Sequence, residues 1–97
     1  MIEKRQFLKN SPVCIVTFKF KTEAESLVLV GDFNGWDETV TPMKKAKDGT
    51  FSVKVEMETG FEQQFRYIAD GNIWLNDEAA DKYMVSSLGS ENSVVIL

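Results

Sequence analysis

Two runs of strict alternation constrain this chain more than any other feature. In residues 13–20, Cys14, Val16, Phe18 and Phe20 take every second position, with Thr17 and Lys19 between them. In residues 51–58, Phe51, Val53, Val55 and Met57 are set against Ser52, Lys54, Glu56 and Glu58. A period of two sends successive side chains to opposite faces of an extended backbone, so both runs predict half-buried strands. Residues 61–69 carry Phe61, Phe65, Tyr67 and Ala69 at odd positions and Glu62, Gln64, Arg66 and Ile68 at even ones. Leu27-Val28-Leu29-Val30 is a continuous apolar run, and Val94-Val95-Ile96-Leu97 reads as a closing strand. Lys47-Asp48-Gly49-Thr50, Glu58-Thr59-Gly60 and Ala69-Asp70-Gly71-Asn72 punctuate these runs with residues that tolerate positive φ. Only Asp77 to Tyr83 reads as a helical turn, with Asn76 or Asp77 as its cap. The sum is an all-β chain: an immunoglobulin-like β-sandwich of about seven short strands.

Composition then narrows the function. Ninety-seven residues without internal repeat or linker make one domain, too small to enclose a deep cleft. A formal net charge of −4 leaves no basic surface for phosphates and argues against a nucleic-acid partner. The chain has no histidine, which removes the usual general base and the commonest zinc ligand. With one cysteine besides, no Cys/His metal site can be assembled, and no cofactor is expected. Cys14 falls within an alternating run and reads as a small core residue in a reducing compartment. Met1 leads into Glu3-Lys4-Arg5 with no apolar leader, and no run is long enough to span a membrane. The expected location is cytoplasmic.

The most specific local feature is Gly31-Asp32-Phe33-Asn34-Gly35-Trp36-Asp37, directly after the Leu27–Val30 run. It places a tryptophan in polar company, where full burial would leave its indole N–H in need of a partner. Trp74 sits in a similar setting behind Asp70-Gly71-Asn72. Two indoles on a small acidic domain are flat platforms for an uncharged ring, and the axial hydrogens of a pyranose pack well on such a plane. Phe33 is expected to plug one end of the sandwich and Gly31 to let the strand bend, while Lys44-Lys45 reads as a solvated strand face.

Three segments in order, VLVGDFNGW (28–36), FRYIADGNIWLND (65–77) and SSLGSENSVVIL (86–97), are more specific together than any one alone. Over roughly residues 13–97 the chain resembles the family 48 carbohydrate-binding modules. These include the early-set domains that precede the catalytic barrel in isoamylases and glycogen branching enzymes, and the glycogen-binding domain of the AMP-activated protein kinase beta subunit. The resemblance implies a non-catalytic module that binds α-1,4-linked glucans such as glycogen, starch or maltodextrin, with residues 1–12 as an N-terminal extension. It implies Trp36 and Trp74 as sugar platforms. Arg66 stands in place of a lysine that hydrogen-bonds hydroxyls, Leu88 in place of a loop leucine that enters a bend of the glucan, Ser90 in place of a threonine, and Asn92 in place of a hydrogen-bonding asparagine. Arg for Lys keeps the charge and changes the donor geometry. Ser for Thr keeps the hydroxyl and drops a methyl.

One departure bears on geometry. The kinase-type domains have one residue between the Asp-Gly turn and the tryptophan, whereas Asn72 and Ile73 both intervene here. A two-residue Asp70-Gly71 turn would set Trp74 opposite Tyr67 on the buried face. A three-residue turn, Asp70 to Asn72, sets it opposite Ile68 on the face of Arg66. The longer turn, with a bulge at glycine or asparagine, is the expected one.

Each site residue also has a plainer reading. Trp36 could fold over the sandwich edge as a cap, Arg66 could pair with a glutamate across the sheet, and Asn92 could satisfy backbone groups in the turn at 89–93. A lone exposed leucine such as Leu88 is ordinary. Catalysis is disfavoured: pairs such as Asp32 and Asp37 are unavoidable among fifteen acidic residues, and no cleft exists to raise the pKa of one of them. The second functional class is a protein-interaction module that docks on a glucan-metabolising enzyme, with Ile2–Lys9 as the docking element.

Overall fold

The computed structural model describes residues 2–6, 12–85 and 89–97. Nine strands occupy them: β1 (Ile2–Gln6), β2 (Val13–Lys21), β3 (Leu27–Gly31), β4 (Lys44–Lys45), β5 (Thr50–Glu58), β6 (Glu62–Ala69), β7 (Ile73–Leu75), β8 (Lys82–Val85) and β9 (Glu91–Ile96). A single 3-10 turn, Asp32–Asn34, follows β3, and among the described residues there is no α-helix. One sheet has the order β1-β2-β5-β4 and the other β3-β6-β9-β8, with β7 beside β9 along the same flank of β6. All pairings are antiparallel. This is an immunoglobulin-like sandwich.

The alternating runs pack as their period requires. β2 and β5 pair with Cys14 opposite Met57, Val16 opposite Val55, Phe18 opposite Val53 and Phe20 opposite Phe51. These side chains therefore share the face turned to the second sheet. Phe18 meets Phe65 across the gap edge-on, with ring centroids 5.0 Å apart, and Phe20 lies 4.6 Å from Tyr67. Leu27, Leu29, Phe65, Tyr67 and Val95 complete the buried layer. Cys14 lies within this core as a free thiol. Phe33 stacks on Phe18 at 6.3 Å and closes one end.

Two local expectations are corrected. Asp77 to Tyr83 is not a helical turn: one turn closes from the Ala80 N–H to the Asp77 carbonyl, and Lys82 and Tyr83 then enter β8. An aspartate that caps a helix and one that closes a tight turn use the same bond, here Ala79 N–H to Asp77 Oδ1 at 2.8 Å. What decides for a strand is β9, which lies alongside and pairs Tyr83 with Ser93. Gly31, for its part, is extended at φ −178° and ψ −175°, so it is not a bend. A Cβ there would stand 2.5 Å from the Gln64 carbonyl oxygen and 2.7 Å from the Phe33 ring. Glycine is needed for the close approach of β6 and Phe33, not for its freedom of φ.

Candidate functional site

The second sheet is buried on both faces along much of its length. Val30, Ile68 and Val94 are at most 1% exposed, although the register places them on the outer face, opposite Arg66, Trp74 and Gln64. A thin second apolar layer thus supports the outer face, and Arg66, Trp74 and Asn92 lie on it.

Trp74 takes its place through the turn before it. Asp70, Gly71 and Asn72 form a three-residue connection that pairs Ala69 with Ile73 and Ile68 with Trp74. Asp70 and Gly71 have φ of 50° and 80°, and the Asn72 N–H closes on the Ala69 carbonyl. Asn72 is therefore an extra residue, a bulge in β7. Asp70 is pinned there because its Oδ1 accepts from the Glu25 and Ser26 N–H groups at 2.9 and 3.1 Å. Trp74 is 46% exposed, and the Arg66 guanidinium lies over its ring with Cζ 5.8 Å from the centroid. That distance is within the range of a cation–π contact.

Trp36 is positioned by its loop. Asn34 Oδ1 accepts from the Gly31 N–H, and Asn34 Nδ2 donates to the Leu29 carbonyl and Thr41 Oγ1, each at 3.0 Å. The chain then reaches Trp36 at φ 59°, a left-handed conformation that an aromatic residue seldom adopts. Its N–H is bonded to the Gly31 carbonyl at 2.9 Å, and its Nε1 donates to Asp32 Oδ1 at 3.1 Å. The other oxygen of Asp32 accepts from the Gln64 N–H at 2.8 Å. One carboxylate thus fastens the half-buried indole to β6.

Between the indoles lies a polar strip. Arg66 Nε donates to Asn92 Oδ1 at 2.7 Å, and Asn92 Nδ2 donates to Gln64 Oε1 at 3.0 Å. Asn92 is 8% exposed, whereas Arg66 and Gln64 are half-buried. Ser90 is exposed in the approach to β9, and Leu88 lies outside the described residues. The structure therefore joins Trp36, Arg66, Trp74 and Asn92 into one chain of contacts, completed by Asp32 and Gln64. Neither of these two is among the residues expected to form the site. Gln64 shares the even-numbered face of Arg66, which was the available signal. Asp32 gives no signal beyond its place in the turn.

A second network anchors the strip from behind. Tyr67 Oη donates to Asp77 Oδ2 at 2.6 Å, the Asp77 N–H donates to Ser93 Oγ at 3.0 Å, and Ser93 Oγ donates to Asn76 Oδ1 at 2.7 Å. The Tyr83 hydroxyl bonds the Asp77 carbonyl. Burial, reinforced by the hydrogen bond to Asp77, pushes the Tyr67 phenol far above its ordinary pKa. Asp77 is 2% exposed and ties the end of β7 to β6 and β9.

Among the described residues no group of three His, Cys, Asp or Glu side chains could hold a metal ion. No curated protein sequence matches the chain. A sequence model of the family described as the glycogen recognition site of AMP-activated protein kinase matches residues 14–95. The match begins in β2 and ends in β9, so it takes in both indoles and the strip between them. The chain belongs to the family of glycogen recognition sites of AMP-activated protein kinase.

Proposed function

We propose that this protein is a non-catalytic module that binds α-1,4-linked glucans, with Trp36 and Trp74 as stacking platforms and Arg66 donating to sugar hydroxyls. Ser90 and Leu88 complete the rim on this reading. The observation that supports it is the unbroken contact chain Trp36–Asp32–Gln64–Asn92–Arg66–Trp74, which runs from the loop after β3 across β6 and β9 to β7. From Gln64, which Asp32 joins to Trp36, to Ile68, which pairs with Trp74, β6 runs about 13 Å at ordinary rise, room for more than one pyranose ring.

The non-catalytic part of the proposal rests on the state of the carboxylates. A glycosidase needs one carboxyl held protonated near neutrality. Both oxygens of Asp32 are already engaged, by the Trp36 indole and the Gln64 amide. Asp37 is solvated, and the Thr39 hydroxyl and N–H hold its carboxyl below the usual range, so it has no proton to give. Electrophoresis through gels containing glycogen tests the proposal. The protein should be retarded by glycogen and not by a cellulose derivative, and maltoheptaose incubated with it should remain intact. Equal mobility in all gels, or hydrolysis of the maltoheptaose, would contradict it.

A further inference from the structure

In the first sheet, the edge of β5 turned away from β2 is paired over only part of its length. Even-numbered residues of β5 send their N–H and C=O groups to that edge: the Thr50 carbonyl accepts from the Ala46 N–H there, whereas the Thr59 N–H bonds the Pro12 carbonyl on the other side. β4 covers Phe51 and Ser52 alone. From Lys54 to Glu58 no strand among the described residues lies along the edge. The main-chain groups of Lys54, Glu56 and Glu58 thus form a template for one more strand. A cavity of about 350 Å³ opens against this stretch, lined by Phe33, Met57, Phe61 and Gln63 together with Glu56 and Glu58. Phe61 is 54% exposed beside it.

Two polar features of this cavity call for a ligand. Gln63 pairs with Val95 and takes the inner face of β6, and its Oε1 is buried with no donor among the described residues. A buried amide oxygen left without a donor is costly and rare. Glu56 and Glu58 are exposed, and neither has an ion-pair partner among the described residues. We propose that this edge docks an extended peptide segment of a partner protein, added antiparallel to β5, with basic side chains against Glu56 and Glu58. Pairing then fixes the peptide's chemistry: basic, aromatic, basic, aliphatic and acidic residues stand opposite Glu58, Met57, Glu56, Val55 and Lys54 in turn. The residues opposite Met57 and Val55 turn inward. The aromatic body enters the cavity beside Phe61, and a hydroxyl at its tip donates to Gln63 Oε1. Gln63 and Gln64 lie on opposite faces of β6, so this site and the polar strip share no face.

The test is an NMR titration of the native chain with the capped peptide Lys-Tyr-Arg-Val-Glu. Saturable shifts should appear at residues 54–58, Phe61 and the Gln63 side-chain amide, and exchange of the Lys54 and Glu56 N–H protons should slow. The charge-swapped peptide Glu-Tyr-Glu-Val-Lys should bind about tenfold more weakly, and added salt should narrow that gap. No shift at this edge, or equal binding of the two peptides, would overturn the site. Shifts at the same residues on concentrating the protein alone would assign the edge to a second copy of this chain and overturn the partner peptide. A peptide with Phe in place of Tyr should bind about two- to tenfold more weakly, the worth of a hydrogen bond. In Gln63→Leu, which removes the unpartnered oxygen, that preference should vanish while the melting temperature holds or rises. Equal binding of the Tyr and Phe peptides by the native chain would overturn the role of Gln63, whether or not the variant folds. Saturating maltoheptaose should leave the peptide affinity unchanged; competition would contradict the separation of the two sites.

Discussion

At the scale of single residues, the site is held by side chains under constraint. Trp36 occupies a left-handed backbone conformation, which costs a residue with a Cβ about 1–3 kcal/mol. Trp36→Gly and Trp36→Ala remove the same indole, but only glycine relieves the backbone. We expect the glycine variant to be about 1 kcal/mol the more stable by urea denaturation, with both variants equally poor in glucan binding. Equal stability would mean that the conformation carries no strain. Tyr67 gives a pH-dependent counterpart. Its buried phenol donates to Asp77, so Tyr67→Phe should cost about 1–3 kcal/mol near neutrality. The native phenol has a raised pKa, so the stability it contributes is complete below the ordinary tyrosine value of about 10. Above that pH the unfolded chain ionises and the native one does not, which erodes that contribution. The penalty of Tyr67→Phe should therefore shrink as pH rises from about 9 to 11 in denaturation curves. A penalty that grows over this range would contradict the assignment.

At the scale of elements, the turn before β7 decides which face Trp74 takes. Counting residues between Asp70-Gly71 and Trp74 was enough to expect a three-residue connection, because a slip of one would bury the indole. The φ values of Asp70 and Gly71 already suit a two-residue hairpin, with Asn72 absorbed as a bulge. Deleting Asn72 should leave Ala69 opposite Ile73 and Trp74 opposite Ile68. Glucan affinity should stay within about twofold of the native value, and the melting temperature should fall by no more than a few degrees. Loss of binding in a folded deletion variant would show that Asn72 contributes more than length. The strands with strict alternation were legible because a period of two is a local property of the chain. Arg66 could be placed on the outer face for the same reason. The burial of Asn92 and its bond to Arg66 were not legible, since they depend on β9 lying beside β6, twenty-six residues away in sequence. β8 was misread on the same ground: Asp77 gives the local signal of a cap, and only the pairing with β9 makes Lys82–Val85 a strand. Gly31 shows the limit once more, because its reason is the Gln64 carbonyl across the sheet.

At the scale of the molecule, the sandwich serves as a frame that buries one sheet on both faces along much of its length and holds the polar strip Gln64–Asn92–Arg66 on its outer face. On the proposed reading neutral stacking and hydrogen bonds drive binding, and the chain contains no histidine to titrate near neutrality. Affinity for maltoheptaose should therefore vary by less than about twofold between pH 5.5 and 8, and between 0.05 and 0.5 M salt, in calorimetric titrations. Steep loss of affinity with salt would point instead to an anionic ligand for Arg66. The most direct test of the account is intrinsic tryptophan fluorescence, since the only two tryptophans of the chain are the two proposed platforms. Titration with maltoheptaose and β-cyclodextrin should give a saturable change, cellohexaose should give none, and Trp36→Ala and Trp74→Ala should each abolish or strongly weaken the response. A folded protein whose fluorescence ignores every α-glucan, or responds to cellohexaose as well, would contradict it.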